Sequence, residues 1–397
     1  MKQLYKILAD ISTALDHFIE QETDPGLLSG YGGCALFYAY YHRLTGKEEY
    51  LHKMELVVMK ALHAMATEEM IHSHCSGVAG ISWCLQHLMQ QGFIEKEEGA
   101  NAFEETDALL YRYMDQELSE MRYDLLHEGL GPALYFLERE AEPAINVYLE
   151  NVVTRLEKAA VPMATGISWK DGFVKKDQEG DHYNLGLAHG MPAILAVLGM
   201  IYERGIAQER ARSLLEKGIQ WLLTTRNQNI STGMSCYPTM VTAGNKPVGN
   251  PQSRLGWCYG DPGIAITLWN AGVRLQNESF KQEACDILLQ TMQHRDAENG
   301  SVRDAGLCHG SMGLAHIYNR MYAGSGNELL RRGMDHWLQQ TLAFRTWADG
   351  PAGFKCHTMS GKVNSYNLLE GITGIGLALM AIADPQAAAW DRCMLLS

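Results

Sequence analysis

Glycine pairs three residues apart recur along this chain and limit its architecture more than any other feature. Gly30/Gly33, Gly77/Gly80, Gly260/Gly263, Gly310/Gly313 and Gly371/Gly374 each precede a small or apolar run. Two degenerate units complete the series: Glu128-Gly129-Leu130-Gly131 before Pro132-Ala133-Leu134-Tyr135, and Gly186-Leu187-Ala188-His189-Gly190-Met191-Pro192-Ala193. The intervals between the seven units are each long enough for two helices and their loops. The run after each pair is apolar nearly all round, as in Gly263 to Trp269, so it demands burial on several sides. Between these runs lie amphipathic stretches. In 208–224, Leu215, Ile219 and Leu222 share a face opposite Glu209, Arg212 and Lys217. The pattern is that of a helix-pair array with a buried inner ring and a half-buried outer ring. Glycines at the inner-helix starts let neighbouring backbones approach closely and leave free N–H groups facing the centre. A linear solenoid is the alternative, but solenoid repeats are closer to constant length and lack glycine pairs in this register. The expectation is an all-α fold, an α/α toroid of seven inner and seven outer helices, in a single domain over residues 1–397.

Charge and composition narrow the function. Lys+Arg number 33 against Asp+Glu 46, a net charge of −13, and no basic cluster offsets it, which argues against nucleic-acid binding. No run of eighteen apolar residues is present, so no membrane span is expected. The first twenty residues carry Asp10 and Asp16 within their apolar pattern and lack a signal-peptide core. Nine cysteines without disulfide-like spacing point to a reducing compartment, with the cytoplasm as the expected location.

Two units put soft metal ligands directly before a glycine turn: Trp257-Cys258-Tyr259-Gly260 and Cys308-His309-Gly310. A thiolate at a helix N-terminus is favoured by the free N–H groups and the helix dipole. Two thiolates and an imidazole select zinc over magnesium or calcium. Three protein ligands leave the fourth position of a catalytic zinc open. A single such cysteine reads best as a core thiol; two in equivalent turns, one with a histidine attached, do not. His189 holds the corresponding place in the fourth unit, where three roles are open to it: fourth ligand, general acid/base or core histidine. Asp124 could orient that histidine or serve as an N-cap. Arg254, four residues before Cys258, could stabilise developing negative charge or form a surface ion pair. His72-Ser73-His74-Cys75 and Cys356-His357 imitate metal clusters without abutting a glycine pair in the same way, although His74 and Cys75 lie near Gly77 and a place at the rim is open to them. Cys34, Cys84, Cys285 and Cys393 read as packing residues, and Cys236 lies in a long loop that could approach the site. Two extended polar loops, 165–184 and 225–255, precede His189 and Cys258 and point to one functional face.

These residues resemble the lanthionine synthetase C-like family, whose best-known members are lantibiotic cyclases, and the resemblance runs from Gly30 to Gly374. It implies an α/α toroid with a central zinc held by Cys258, Cys308 and His309. By position, the family's proton-transfer histidine falls on His189 and its aspartate on Asp124. Its arginine ahead of the first zinc cysteine falls on Arg254, and a pocket tyrosine on Tyr259. One departure stands out: where the family usually has glycine four residues after the aspartate, this chain has Glu128, which puts the shape of the Asp124 turn in doubt. The implied reaction is Michael addition of precursor-peptide cysteine thiolates to dehydroalanine or dehydrobutyrine, forming lanthionine or methyllanthionine rings. The expected partners are a dehydrated ribosomal peptide and, in a biosynthetic complex, a dehydratase and an exporter. The lack of an upstream dehydratase-sized region suggests a stand-alone cyclase. Two other readings keep the centre: addition of glutathione to dehydroamino acids in proteins, and a non-catalytic zinc-stabilised peptide scaffold. A protein-prenyltransferase-type toroid is a weaker rival, since no aspartate joins the ligand set.

Overall fold

Apolar and amphipathic stretches alternate along the chain, and the helices they form alternate in the same way. The structure, a computed structural model, describes residues 2–95, 103–172, 180–228 and 233–397. The outer helices are α1 (Lys2–Gln21), α3 (Glu48–Thr67), α5 (Glu104–Ser119), α7 (Pro143–Ala159), α9 (Gln208–Thr224), α11 (Glu278–His294) and α13 (Glu328–Ala343). The inner helices are α2 (Gly33–Thr45), α4 (Val78–Gln90), α6 (Leu130–Glu138), α8 (Met191–Glu203), α10 (Asp261–Arg274), α12 (Ser311–Ser325) and α14 (Ile372–Ala383). Consecutive inner helices pack in order, and α14 packs on α2, which closes the ring. Of the outer helices, α3, α7, α9, α11 and α13 each lie on the inner helix just before them, while α5 lies across α4 and α6. The N-terminal α1 packs on α14 and so supplies the seventh pair. Leu215, Ile219 and Leu222 of α9 face inward as their spacing requires, with Glu209, Arg212 and Lys217 in solvent.

Among the described residues, three short antiparallel ladders interrupt the helices: β1 (Val161–Pro162) with β2 (Ile167–Ser168), β3 (His182–Asn184) with β4 (Met240–Thr242), and β5 (Cys356–Thr358) with β6 (Gly361–Val363). The second joins the two long loops to each other, so both do reach one face. Parts of those loops, 173–179 and 229–232, lie outside the described residues.

Counting back from the first glycine of each unit (Glu128 standing for it in the third) resolves the centre into rings. Three residues back are Leu27, His74, Leu125, Leu187, Trp257, Leu307 and Leu368, all buried. Two back are Leu28, Cys75, Leu126, Ala188, Cys258, Cys308 and Leu369. One back are Ser29, Ser76, His127, His189, Tyr259, His309 and Glu370, every one at least partly exposed. Beneath the first ring, the irregular 3₁₀ segment Pro385–Met394 packs on α14, α2 and α4 and fills the middle of the toroid. His74 Nε2 lies 2.9 Å from the Cys393 carbonyl, and the Trp257 indole donates to the Met394 carbonyl at 2.8 Å. His74 is thus a core residue above this plug, not a rim residue.

Candidate metal centre and active site

The middle ring is held by its own backbone. Leu28 N–H donates to the Cys75 carbonyl, Cys75 to Leu126, Ala188 to Cys258, Cys258 to Cys308, Cys308 to Leu369 and Leu369 to Leu28, at 2.9 to 3.3 Å. One link, from Leu126 to Ala188, is replaced. There Leu126 N–H and His127 N–H both donate to Asp124 Oδ1, each at 2.8 Å. A buried amide left without a partner costs about 1–3 kcal/mol, so the carboxylate completes the belt where the main chain does not. Its second oxygen, Oδ2, holds His189 Nδ1 at 2.5 Å. Asp124 therefore caps a turn and orients a histidine at once.

The doubt over the Asp124 turn is resolved by Glu128. Its Oε2 accepts the Asp124 N–H at 3.1 Å, and its Oε1 accepts from Arg122 Nε at 3.0 Å. A side chain fastens this turn where the other units use a glycine. The glycines have their own necessity. Gly260 sits at φ 107°, and a Cβ there would lie 1.9 Å from the Arg254 carbonyl oxygen. A Cβ on Gly186 would lie 2.5 Å from the Tyr259 ring, so Gly186 leaves room for that tyrosine.

The belt brings Cys258 and Cys308 side by side, and with His309 they offer ligand atoms all within 4.8 Å of one another. Both sulfurs are buried, and His309 Nδ1 is buried without a hydrogen-bond partner among the described residues. A hydrogen bond from the Cys308 thiol holds Cys258 well below the usual thiol range, against the upward push of burial. The same bond, with burial, pushes Cys308 well above it. The hydrogen bond to Cys258 also raises His309. Two sulfurs and one nitrogen at this separation fit a tetrahedral zinc with one position left over.

His189 lies on the same rim. Burial lowers its pKa, but the hydrogen bond and charge of Asp124 outweigh burial and hold it above the ordinary imidazole value. Its ring is near-parallel to that of His127, 6.2 Å away at 19°, and is 5.7 Å from that of Tyr259 at 30°. The Tyr259 hydroxyl accepts from Asn184 Nδ2 at 3.3 Å. Arg254 is exposed beside the ligand set, and its guanidinium makes no ion pair or hydrogen bond among the described residues. It lines a cavity of about 580 Å³ together with Arg303, His309, His357 and Glu370.

His357 reaches that cavity because Asp304 Oδ2 accepts its N–H at 2.7 Å, docking the β5–β6 hairpin against the sixth unit. Cys356 and His357 do not join the ligand set. Cys236, in the second long loop, is buried with its Sγ 3.5 Å from Gln290 of α11, and it lines no part of the cavity. Two rim residues, His127 and Glu370, are not marked by any motif in the sequence. Their signal is the register one residue before the unit's first position, which His189, Tyr259 and His309 share.

The closed ring and this donor set define an α/α toroid with a sulfur-rich cluster and an anchored histidine at its mouth. The lanthionine synthetase C-like protein family model matches residues 21–395, and the chain belongs to that family. It is 24% identical over 263 residues to the nisin biosynthesis protein NisC of Lactococcus lactis subsp. lactis, a match covering 61% of this chain and 60% of that relative. The solved structure of nisin cyclase superposes with a TM-score of 0.72 at 20% identity, covering 100% of this chain and 97% of that one, and so shares its fold.

Proposed function

We propose that this chain is a zinc-dependent lanthipeptide cyclase, folded as one domain, that closes thioether rings in a dehydrated precursor peptide. One observation carries the reading: Cys258 and Cys308 of the middle ring and His309 of the rim converge within 4.8 Å, and the same rim bears His189, held by Asp124. Cys258, Cys308 and His309 would hold the ion. A zinc bound there supplies acidification of a substrate thiol near neutral pH. The remaining chemistry falls to the chain. His189, oriented through Nδ1, has Nε2 left to deliver a proton to Cα after the thiolate has attacked Cβ of the dehydroamino acid. Arg254, without an ion-pair partner among the described residues and beside the ligand set, stabilises the enolate charge that develops between those two events. Tyr259, its ring 5.7 Å from that of His189, forms the neighbouring wall of the site. The 580 Å³ cavity gives a peptide room beside His309. All nine cysteines are free thiols, which suits a cytoplasmic enzyme, and no described helix is long and apolar enough to cross a membrane. A dehydratase that supplies the peptide, and an exporter that removes it, are its natural companions.

Replacing Cys258 or Cys308 by alanine tests this. Stoichiometric zinc, measured by elemental mass spectrometry, should fall below a tenth of wild type. Thiol alkylation of a dehydrated cysteine-containing peptide should show no ring formation. Full activity in either variant would refute the assignment.

A further inference from the structure

The cavity beside His309 is cationic, in a chain whose net charge is −13. Arg254 and Arg303 both line it, and neither guanidinium has a carboxylate partner among the described residues. Arg303 is nonetheless fixed in place. Its Nη1 donates to His357 Nε2 at 3.0 Å, and its carbonyl accepts from Lys362 Nζ. A guanidinium can only donate, so Nε2 accepts through its lone pair. The imidazole brings no negative charge, and it orients Arg303 without neutralising it. The neighbouring acid does not neutralise it either. Asp304 is buried, with Oδ1 accepting the Gly306 N–H at 3.0 Å and Oδ2 the His357 N–H at 2.7 Å. Glu370 is the carboxylate on the cavity wall; its Oε2 lies 3.8 Å from Cys356 Sγ, and it forms no ion pair among the described residues. The two arginines are differently placed. The charge of Arg254 reaches Cys258, Cys308 and His309. Arg303 is held instead against the β5–β6 hairpin, whose tip residue Met359 stands fully exposed on the cavity wall.

We propose that Arg303 selects the substrate by pairing with a carboxylate of the precursor peptide. The inference rests on the cyclase reading, which puts a peptide segment in this cavity while a cysteine of the same peptide reaches the Cys258, Cys308 and His309 centre. A guanidinium held in one orientation and left without a counter-charge is a fork for two planar oxygens. The carboxylate is an Asp or Glu side chain close to the reacting cysteine, or the peptide's own C-terminus; both present the same pair of oxygens. No bond is made or broken at Arg303, and Arg254 remains for the enolate. Glu370, on the same wall, repels an incoming carboxylate, so the guanidinium and not the cavity as a whole decides where the carboxylate sits. A neutral segment gains nothing from Arg303, and a lysine in its place meets two guanidinium charges.

The test uses the full-length, zinc-loaded protein and synthetic peptides. Each peptide carries a dehydroalanine, a cysteine and, beside the cysteine, either Asp or Asn, and is made with a free and with an amidated C-terminus. In wild type, kcat/KM should favour one carboxylate on the order of ten- to a hundredfold, chiefly through KM. The source is the side chain if Asn removes the gain, and the C-terminus if amidation does. Arg303→Gln should erase the preference. Arg303→Glu should pass it to a peptide with Lys beside the cysteine, a reversal that a merely structural residue would not produce. A wild type indifferent to both carboxylates overturns the inference, as does a preference that survives Arg303→Gln. Should wild-type protein close no rings, the cyclase reading fails instead. The same peptides with Ser in place of Cys, titrated in a calorimeter, then decide for Arg303 alone: Kd values that do not depend on either carboxylate refute its role.

Discussion

At the scale of single residues, Asp124 is the hinge of the site. It satisfies two amides in the one break of the belt and carries the charge that keeps His189 protonatable. Asp124→Asn separates these duties, since an amide oxygen can still accept Leu126 and His127 while the charge is gone. The sign is fixed by the direction of the shift. Asp124 raises the folded-state pKa of His189, so the stability of the pair is fully present below the unfolded imidazole value, about 6.5. It fades as pH rises through the raised folded value. The acid form of His189 persists over that same range. In Asp124→Asn the alkaline limb of the ring-closure pH profile should move to lower pH, and the rate at neutral pH should fall about a hundredfold. Zinc content should stay level. A profile that does not move would mean that the proton at Cα comes from another group.

At the scale of the element, each unit is a turn that holds its ring residues and then starts an inner helix. Gly260→Ala probes the turn nearest the sulfurs. The backbone conformation alone costs about 1–3 kcal/mol for a residue with a Cβ, and the contact with the Arg254 carbonyl adds to it. The thermal midpoint and the zinc content should fall together; loss of the first without the second would detach the turn from the metal centre. The glycine pairs made these turns legible in the sequence because glycine was the chain's answer to close backbone contact. The convergence of Cys258, Cys308 and His309 was legible because two thiols and an imidazole stand at equivalent turns of the repeat. The belt was not, since main-chain amides leave no trace in side-chain identity. Glu128 has the appearance of a defect in the sequence, yet its carboxylate replaces a glycine with two hydrogen bonds. His127 was hidden by the same irregularity, because its ring position emerges only once Leu126 is placed in the belt. The β3–β4 pairing left no mark either: three residues on each side, in loops rich in polar residues, give no usable alternation.

At the scale of the molecule, a toroid must fill its own hole, and here the last segment of the chain does so. Nothing in the periodicity of the units announced this, because the plug belongs to none of them. Trp390, Cys393 and Met394 are buried, and Trp390 stacks on His316 of α12 at 5.1 Å. Asp391 binds His316 Nε2 at 2.7 Å and Arg320 Nε at 3.2 Å. Arg392 pairs with Glu138 of α6 at 3.0 Å, and Glu138 with His87 of α4 at 2.7 Å. One short segment thus ties α4, α6 and α12 together across the ring. Through the Met394 carbonyl it also holds Trp257, the neighbour of Cys258. Trp390→Ala should therefore do two things. Emptying so large a buried volume costs about 3–5 kcal/mol, which in a chain of this length lowers the thermal midpoint by about 5 °C at a fixed scan rate. The floor under Trp257 should loosen as well, so that zinc is lost faster to a chelator than from wild type, while Trp390→Phe, which retains most of the volume, should behave nearly as wild type in both. If Trp390→Ala melts early yet gives up zinc at the wild-type rate, the plug stabilises the ring without supporting the centre above it.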